Sequence, residues 1–202
     1  VTTRTAAQVL ASLYPTQTVT LASAPGWTTR NLEAFSGTAA VNTGTASLDF
    51  ENPAAGTQLF ACAGRAPPAF PPTLDLRARI SSFSSSLSGD NIQMQVCDAL
   101  AASIVIGLQV NGNDTCTAIS SSGNPATTVT VAGVGDGQGW GRIVLRGQSA
   151  AAFVGIGTAG AEPTSWTAVG YVALASGGRI AWPFIAWQCN RDAGSGDVTA
   201  TV

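Results

Sequence analysis

Apolar and polar residues alternate along several short stretches of the chain. In residues 74–80, leucine, alanine and isoleucine alternate with one aspartate and two arginines. In residues 92–96, isoleucine, methionine and valine alternate with two glutamines. A third stretch, 104–110, keeps its aliphatic residues two apart and carries Gln109 between them. A period of two indicates strands that each bury one face and turn the other outward. The following Asn111-Gly112-Asn113 is a strong turn signal, which predicts a hairpin.

The rest of the chain predicts further short strands, spaced evenly by clusters of glycine, proline, asparagine and serine. This spacing favours an all-β protein, an antiparallel jelly-roll β-sandwich over residues 17–202. Residues 1–16 are predicted as a short N-terminal arm or helix, capped by Thr5 and ended by Pro15. The prolines of 65–72 and the serines of 81–89 predict loops. The additional strands are expected at 17–22, 46–50, 57–63, 127–132, 142–146, 152–158, 165–174 and 179–188.

Composition narrows the classes of partner. The 202 residues are 45% hydrophobic and only 10% charged, against about 25% charged in an average soluble chain. The chain can therefore build a sizeable core beneath a surface of serine, threonine, asparagine, glutamine and glycine. Its net charge of −2 and its lack of a basic run predict no nucleic-acid partner. No apolar run reaches the roughly 18–20 residues that span a bilayer, so no membrane insertion is expected.

Four cysteines stand far apart, at Cys62, Cys97, Cys116 and Cys189. The chain has no histidine, so an ordinary structural zinc site would need all four thiolates, and their wide spacing disfavours one. We therefore predict no cofactor and no metal. Two disulfides are expected, Cys97–Cys116 closing a local hairpin and Cys62–Cys189 joining distant strands. Buried thiols are the alternative.

Catalytic residue types are scarce. Without histidine, a Ser-His-Asp or Cys-His mechanism is excluded. Asp49 and Glu51 flank Phe50 and would share one face of a strand, which is an arrangement that paired carboxylates of a glycosidase could use. The plainer interpretation is an exposed strand edge. The glycine-rich stretch 133–137 has no following lysine and predicts a loop rather than a phosphate site. We assign no catalytic residue and predict a protein that is not an enzyme.

Tryptophan is the residue type best suited to stack on a sugar ring. The candidates are Trp182, Trp187 and Trp27. Trp182 and Trp187 are an odd number of positions apart, so one uninterrupted strand would turn them to opposite faces. One of the two is then expected in the core and the other on the surface.

One segment resembles a known family. The sequence WGRIVLRG at 140–147 is followed by an Ala/Phe/Val-rich strand, by Ala159-Gly160 and by SWTAVG at 165–170, while 74–80 with Phe83 matches a preceding strand. Together these resemble the second half of concanavalin A-like (laminin-G-like) jelly-roll modules, over roughly 57–188. The resemblance implies the sandwich fold and structural roles for Trp140 and Trp166.

The chain departs from that family in two places. Calcium-binding members use paired Asp and Asn residues in one loop, whereas Asn111, Asn113 and Asp114 have no second acidic neighbour in sequence. The Glu-x-Asp-x-x-Glu strand of the glycosidase members is absent.

Three functions remain open at this point. The first is a virion structural protein, such as a phage capsid decoration, head-fibre or tail-fibre module. It would lie in the virion and contact other virion proteins and copies of itself in a homo-oligomer such as a trimer. Its support is an uncharged surface, arginine without lysine, a detached arm and the use of jelly rolls in capsids. The alternative is a lectin-like carbohydrate-binding module that is secreted or binds a host-surface glycan, and the third function is a glucanase-like glycosidase.

Overall fold

The structure is a computed structural model. It describes residues 28–33, 40–43, 48–52, 59–65, 73–84, 87–97, 104–121, 127–146, 149–158, 160–173, 184–191 and 196–202. The predicted arm at 1–16 and the predicted strand at 17–22 lie outside these ranges.

The described residues form strands that pair antiparallel throughout, with one π-helical turn. We refer to that turn, Val134–Gln138, as the π turn. In chain order the strands are β1 (Thr28–Glu33), β2 (Ala40–Thr43), β3 (Leu48–Asn52), β4 (Leu59–Arg65), β5 (Thr73–Ile80), β6 (Ser82–Ser84), β7 (Asn91–Cys97), β8 (Ile104–Asn111), β9 (Thr115–Ile119), β10 (Thr128–Thr130), β11 (Gly139–Arg146), β12 (Ser149–Ile156), β13 (Thr167–Ala173), β14 (Phe184–Arg191) and β15 (Val198–Thr201).

The strands form two layers. One layer is a seven-stranded sheet in the order β1-β4-β14-β7-β8-β9-β10. The other consists of two four-stranded sheets, β13-β12-β11-β5 and β2-β3-β15-β6. These two sheets are linked directly in sequence, because Ser81 is the single residue between β5 and β6. Contacts of β8 with β12, of β9 with β13 and of β3 with β4 show that both smaller sheets pack against the large one.

The core lies between the layers and is built by alternate residues of the strands whose side chains the structure describes. Met94 on β7, Leu108 on β8 and Ile143 on β11 are at most 1% exposed. Gly141, also on the core side of β11, leaves room for the first two, since a Cβ there would lie 3.0 Å from Leu108 Cδ2 and 3.2 Å from Met94 Cε. Burying an aliphatic side chain of this size contributes about 1.5–3 kcal/mol. Interdigitation at Gly141 therefore couples the two layers in a closely packed interior.

The predicted fold class is confirmed: the protein is an all-β antiparallel sandwich. The strands expected at 74–80, 92–96 and 104–110 correspond to β5, β7 and β8. Two predicted loops are more ordered than expected, because 81–89 contains β6 and 134–137 lie in the π turn, directly after Gly133. The alternation rule missed five short or polar strands, namely β1, β2, β6, β9 and β15.

Candidate functional site

The face of the seven-stranded sheet that points away from the core carries carboxamide side chains in rows. Antiparallel register sets residues of β14, β7 and β8 side by side, and cross-strand partners project to the same face. Two adjacent rows therefore each bring three amides together. We call this surface the amide face; its first row is Asn190, Asn91 and Asn111, and its second row is Gln188, Gln93 and Gln109.

Four of these six amides, together with Gln95 one row further along β7, close a hydrogen-bonded ring. Gln95 Nε2 donates to Gln93 Oε1 at 2.5 Å and to Gln188 Oε1 at 3.3 Å. From Gln93 the ring continues through Nε2 to Asn91 Oδ1 at 2.8 Å. From Gln188 it continues through Nε2 to Asn190 Oδ1 and from Asn190 Nδ2 to Asn91 Oδ1, both at 2.7 Å. The ring fixes the orientation of each amide, because every donor in it points at a defined acceptor.

Most of the ring is buried. Gln95 is fully buried, and Asn190, Gln93 and Asn91 are 5%, 7% and 8% exposed. The alternation of β7 predicted that its glutamines face outward to solvent, and this expectation is wrong: both faces of the strand are buried. A buried amide without partners costs free energy. Mutual hydrogen bonding removes that cost, so the ring stabilises a polar layer within the structure.

The amide face reaches solvent along β8 and β9. Half-buried Gln109 accepts from Gln93 Nε2 at 3.0 Å and donates through its own Nε2 to Asn111 Oδ1 at 2.7 Å. The row of Gln109 continues to Thr117 and Thr128, whose hydroxyls lie 3.1 Å apart at the surface. The part of the face that a ligand can reach is therefore made of amides and hydroxyls.

A small apolar surface borders these groups. Gly107 lies beside Gln95 on β7 and beside Ile119 on β9. A Cβ at Gly107 would come within 2.8 Å of Ile119 Cγ1, so the isoleucine lies over the glycine backbone. Half-buried Ile119 thus forms an apolar shelf next to the amide rows. Neutral donors, acceptors and a C–H surface lie together here.

Of the predicted stacking residues, the structure describes Trp187, which does not belong to this site. Trp187 is 2% exposed and lies opposite Met94 within the core, so neither face of its indole is available to a ligand. Its proposed role in stacking on a glycan is therefore wrong, and the physical reason is the inward direction of that position on β14. Trp27 and Trp182 lie outside the described residues.

Neither predicted disulfide is formed, since Cys97, Cys116 and Cys189 belong to no disulfide bond. Cys116 lies across from Val110, which in turn pairs with Ile92. Cys116 is therefore level with Ile92 on β7. Ile92 is five residues from Cys97, or about 17 Å along the strand, whereas bonded cysteines need Cα atoms within about 7 Å. Cys62 lies opposite Gln188, and Cys189 lies opposite Ala61.

The thiols that remain have structural surroundings. Cys97 Sγ donates to Gln95 Oε1 at 3.3 Å and so extends the amide ring. Burial, with a smaller contribution from the charge of Asp114, raises the pKa of Cys116 to about 12. A thiol with that pKa is protonated at neutral pH and is a poor nucleophile or metal ligand.

The loop after β8 does not fit a calcium ion. Asp114, the acidic residue of this loop, has a φ of 63° and closes the predicted turn with a backbone bond to Asn111 O. Its two carboxylate oxygens accept from the backbone N–H groups of Gly133, at 2.9 Å, and Gly135, at 3.1 Å. Asp114 therefore ties the β8–β9 turn to the π turn. Across the described ranges, no three Cys, Asp or Glu side chains come close enough to hold a metal.

The remaining candidates from the sequence are placed as follows. Asp49 and Glu51 lie at alternate positions of β3, around buried Phe50. Trp140 and Trp166, which the family resemblance assigns to structure, are both half-buried. Trp140 lies against Gly157, where a Cβ would approach Nε1 to 2.8 Å. In the part of the chain that the structure describes, no helix is long and apolar enough to cross a bilayer.

Comparison with known proteins identifies the fold. No family model matches the sequence, and no curated protein matches it. Solved structures do match. A legume lectin-like domain from Entamoeba histolytica is 8% identical with a TM-score of 0.58, over 87% of this chain and 86% of that one. A functionally unknown protein from Saccharomyces cerevisiae is 10% identical with a TM-score of 0.59, over 87% and 92%.

A third match is the exoplasmic/lumenal domain of VIP36 in a Ca²⁺/Man-bound form. It is 9% identical with a TM-score of 0.53, over 89% of this chain and 84% of that one. At such low identity these likenesses show the fold alone: the chain is a legume lectin-like, concanavalin A-like β-sandwich, as the resemblance over 57–188 implied. Nothing in them indicates a phage origin.

Proposed function

We propose that this protein is a non-enzymatic carbohydrate-binding module, and that the open part of the amide face, around Gln109 and Asn111, binds a neutral sugar. The observation that most supports this proposal is the pair of amide rows, which continues from a buried ring to groups that a ligand can reach. A sugar hydroxyl both donates and accepts hydrogen bonds, and a carboxamide offers both functions in one plane.

The buried ring supports this proposal by holding the reachable amides in place. Gln109 Oε1 is fixed by Gln93, and Gln109 Nε2 is directed at Asn111 Oδ1. In the described residues, Asn111 Nδ2 donates to no protein acceptor, so it is free to donate to a hydroxyl. Side chains that are already ordered lose little conformational entropy when a ligand binds. Ile119 adds an apolar surface for the C–H side of a sugar ring.

Two further points favour a sugar over other ligands. The six side chains that make up the two amide rows are uncharged, which suits a neutral ligand. The fold is also that of a legume lectin-like domain and of the exoplasmic/lumenal domain of VIP36, which was solved in a Ca²⁺/Man-bound form. The same proposal includes a secreted location, because the glycans that such a module would bind are found outside the cell.

The proposal can be tested on a glycan array, followed by calorimetry with the best ligand. We expect Gln109→Ala and Asn111→Ala each to weaken binding by about three- to tenfold, the loss of one or two hydrogen bonds. Gln138→Ala is the matched control, because it removes an exposed glutamine from the π turn. Circular dichroism would verify that each variant is folded. An array without signal, or equal affinity in all three variants, would contradict the proposal.

The other two functions give different outcomes in separate experiments. Hydrolysis of a polysaccharide by the purified protein would contradict a non-enzymatic role. The hypothesis of a virion protein remains a prediction that the fold does not favour. It requires the chain to co-purify with particles and to form symmetric oligomers.

A further inference from the structure

The opposite surface of the sandwich carries a second polar site. On the outer face of the β5–β11–β12–β13 sheet, the cross-strand row of Val144, Ala151 and Tyr171 forms the floor of a shallow depression of about 420 Å³. Arg142 and Phe153 form the next row on one side of this floor, and Arg146 lies in the next row on its other side. Rows on one face are about 7 Å apart, so the depression is wide enough to hold a ring.

Arg142 forms a fixed wall of this depression. Its guanidinium lies 5.7 Å from the ring centroid of Phe153 and 5.5 Å from that of Trp166. The same group donates to both oxygens of Asp75, at 2.8 and 2.7 Å. The charge of Arg142 is therefore neutralised, and its side chain is held by contacts on several sides.

The other arginines of this face also have partners, with one exception. Arg77 pairs with Asp75 and with Glu162, and Arg79 donates to Gly137 O at 3.2 and 2.7 Å. Arg146 is exposed, and among the described residues its guanidinium makes no hydrogen bond or ion pair. The depression therefore carries one uncompensated positive charge.

Tyr171 supplies an aromatic surface across from Arg146. It is 76% exposed, against 42% for Leu87 and 37% for Ile156, the other large hydrophobic residues on the described surface. Its neighbour Ala151 is small, so the ring rises beside a flat apolar floor. An aromatic ring in such a position can stack on another flat or C–H-rich ring.

From these contacts we infer that the depression is a binding site for a ring that carries a single carboxylate, with the ring against Tyr171 and Ala151 and the carboxylate on Arg146. A guanidinium binds a carboxylate through two parallel hydrogen bonds. An acidic sugar and an aromatic acid both provide this chemistry. The inference concerns the other face of the sandwich and does not depend on the proposed function of the amide face.

The test uses glucuronate, glucose and benzoate as probes, with binding followed by saturation-transfer NMR and calorimetry. We expect glucuronate or benzoate to bind at least about tenfold more tightly than glucose, because a hydrogen bond to a charged group is stronger than one between neutral groups. Preference for glucuronate identifies an acidic sugar, and preference for benzoate identifies an aromatic acid. Raising salt from 0.15 to 1 M should weaken either complex.

Variants locate the binding. Arg146→Gln should reduce the affinity for the acid to that for glucose, while Arg146→Lys should retain part of it. Tyr171→Ala should weaken binding at least about fivefold, and Leu87→Ala, at another exposed apolar residue, should not. Gln109→Ala should leave acid binding unchanged, so failure here is distinguishable from failure of the amide face. Equal binding of glucose and the acids, no binding of either acid, or unchanged affinity in Arg146→Gln would overturn the inference.

Discussion

Asp75 on β5 accepts two nearly parallel hydrogen bonds from Arg142 on β11, at 2.8 and 2.7 Å. Arg77 adds two more from the same strand as the aspartate. Partial burial by itself would raise the pKa of Asp75, but the hydrogen bonds and charges of Arg142 and Arg77 outweigh it and hold the pKa well below its usual value. The cluster joins β5 and β11, two adjacent strands of the β13-β12-β11-β5 sheet, through a single carboxylate.

We predict that this cluster contributes to acid stability. A depressed folded-state pKa adds stability above the unfolded value, near 3.9, and that stability is lost as pH falls through the folded-state pKa. Because the group is about one-third exposed, solvent screening limits the contribution to about 0.5–1 kcal/mol. Asp75→Asn should therefore lower the free energy of unfolding at pH 7 and reduce its decline below pH 4. Urea unfolding at pH 7, 4 and 2 measures both effects.

The control for this experiment is Asp136→Asn, which removes an exposed carboxylate of the π turn. It should keep the pH dependence of the native protein. If Asp75→Asn shows that same dependence, the ion cluster has no role in acid stability.

The amide ring predicts a large loss of stability when its buried donor is removed. Gln95→Leu preserves size but leaves the oxygens of Gln93 and Gln188 without this donor and removes the acceptor of one hydrogen bond of the Cys97 thiol. Groups left unpaired in this way cost about 1–3 kcal/mol each, so we expect the unfolding free energy to fall by about 2–4 kcal/mol. Gln109→Ala, at the half-buried end, should cost about 1 kcal/mol. Similar urea midpoints for both variants would mean that the ring is not a cooperative unit.

The link between the β8–β9 turn and the π turn predicts a graded effect of substitutions at Asp114. Asp114→Ala removes the acceptors of two backbone N–H groups and places alanine at a φ of 63°, so we expect a loss of about 2–3 kcal/mol. Asp114→Asn should lose less, since asparagine tolerates this conformation and keeps one oxygen. Thermal unfolding would rank the two variants, and equal stability of both and the native protein would exclude the carboxylate as the link.

Cys116 is predicted to resist modification in the folded protein. It is fully buried, and its pKa is raised to about 12, so the thiolate required for alkylation is scarce and inaccessible. Peptide mapping after iodoacetamide treatment at pH 8 should find this cysteine unlabelled without denaturant and labelled in urea. Rapid labelling of the native protein would show that the strand pair β8–β9 opens readily.

Local sequence patterns predicted the fold class well because the core rows of β5, β7 and β8 keep a strict period of two. They could not predict that β14 lies between β4 and β7, since that order brings together residues far apart in the chain. The wrong disulfides have the same origin. Cys97 and Cys116 are near in sequence, but the register of β7, β8 and β9 separates them.

The candidate site was only half visible in the sequence. Gln93, Gln95 and Gln109 stand out as uncharged polar residues at outward positions, but alternation within one strand does not distinguish a buried face from a solvated one. Their meaning depends on the asparagine and glutamine of β14 that register places beside them. A row of amides, rather than of lysines or glutamates, is the sequence signal that would have indicated a hydrogen-bonded layer. Trp187 was misassigned for a related reason. An odd separation from Trp182 predicts that the two side chains point to opposite faces of a strand, but it does not show which face is in the core.

The central position of β14 also has a consequence for synthesis. In the described sheets, β1 and β4 reach the rest of the large sheet only through β14, and β2 and β3 reach β6 only through β15. Synthesis adds β14 and β15 after the other described strands, so the hairpins of β7 to β13 can pair early while the first four strands wait for their partners. Folding of the described sandwich is therefore a late event, completed when β14 inserts between β4 and β7 and β15 inserts between β3 and β6.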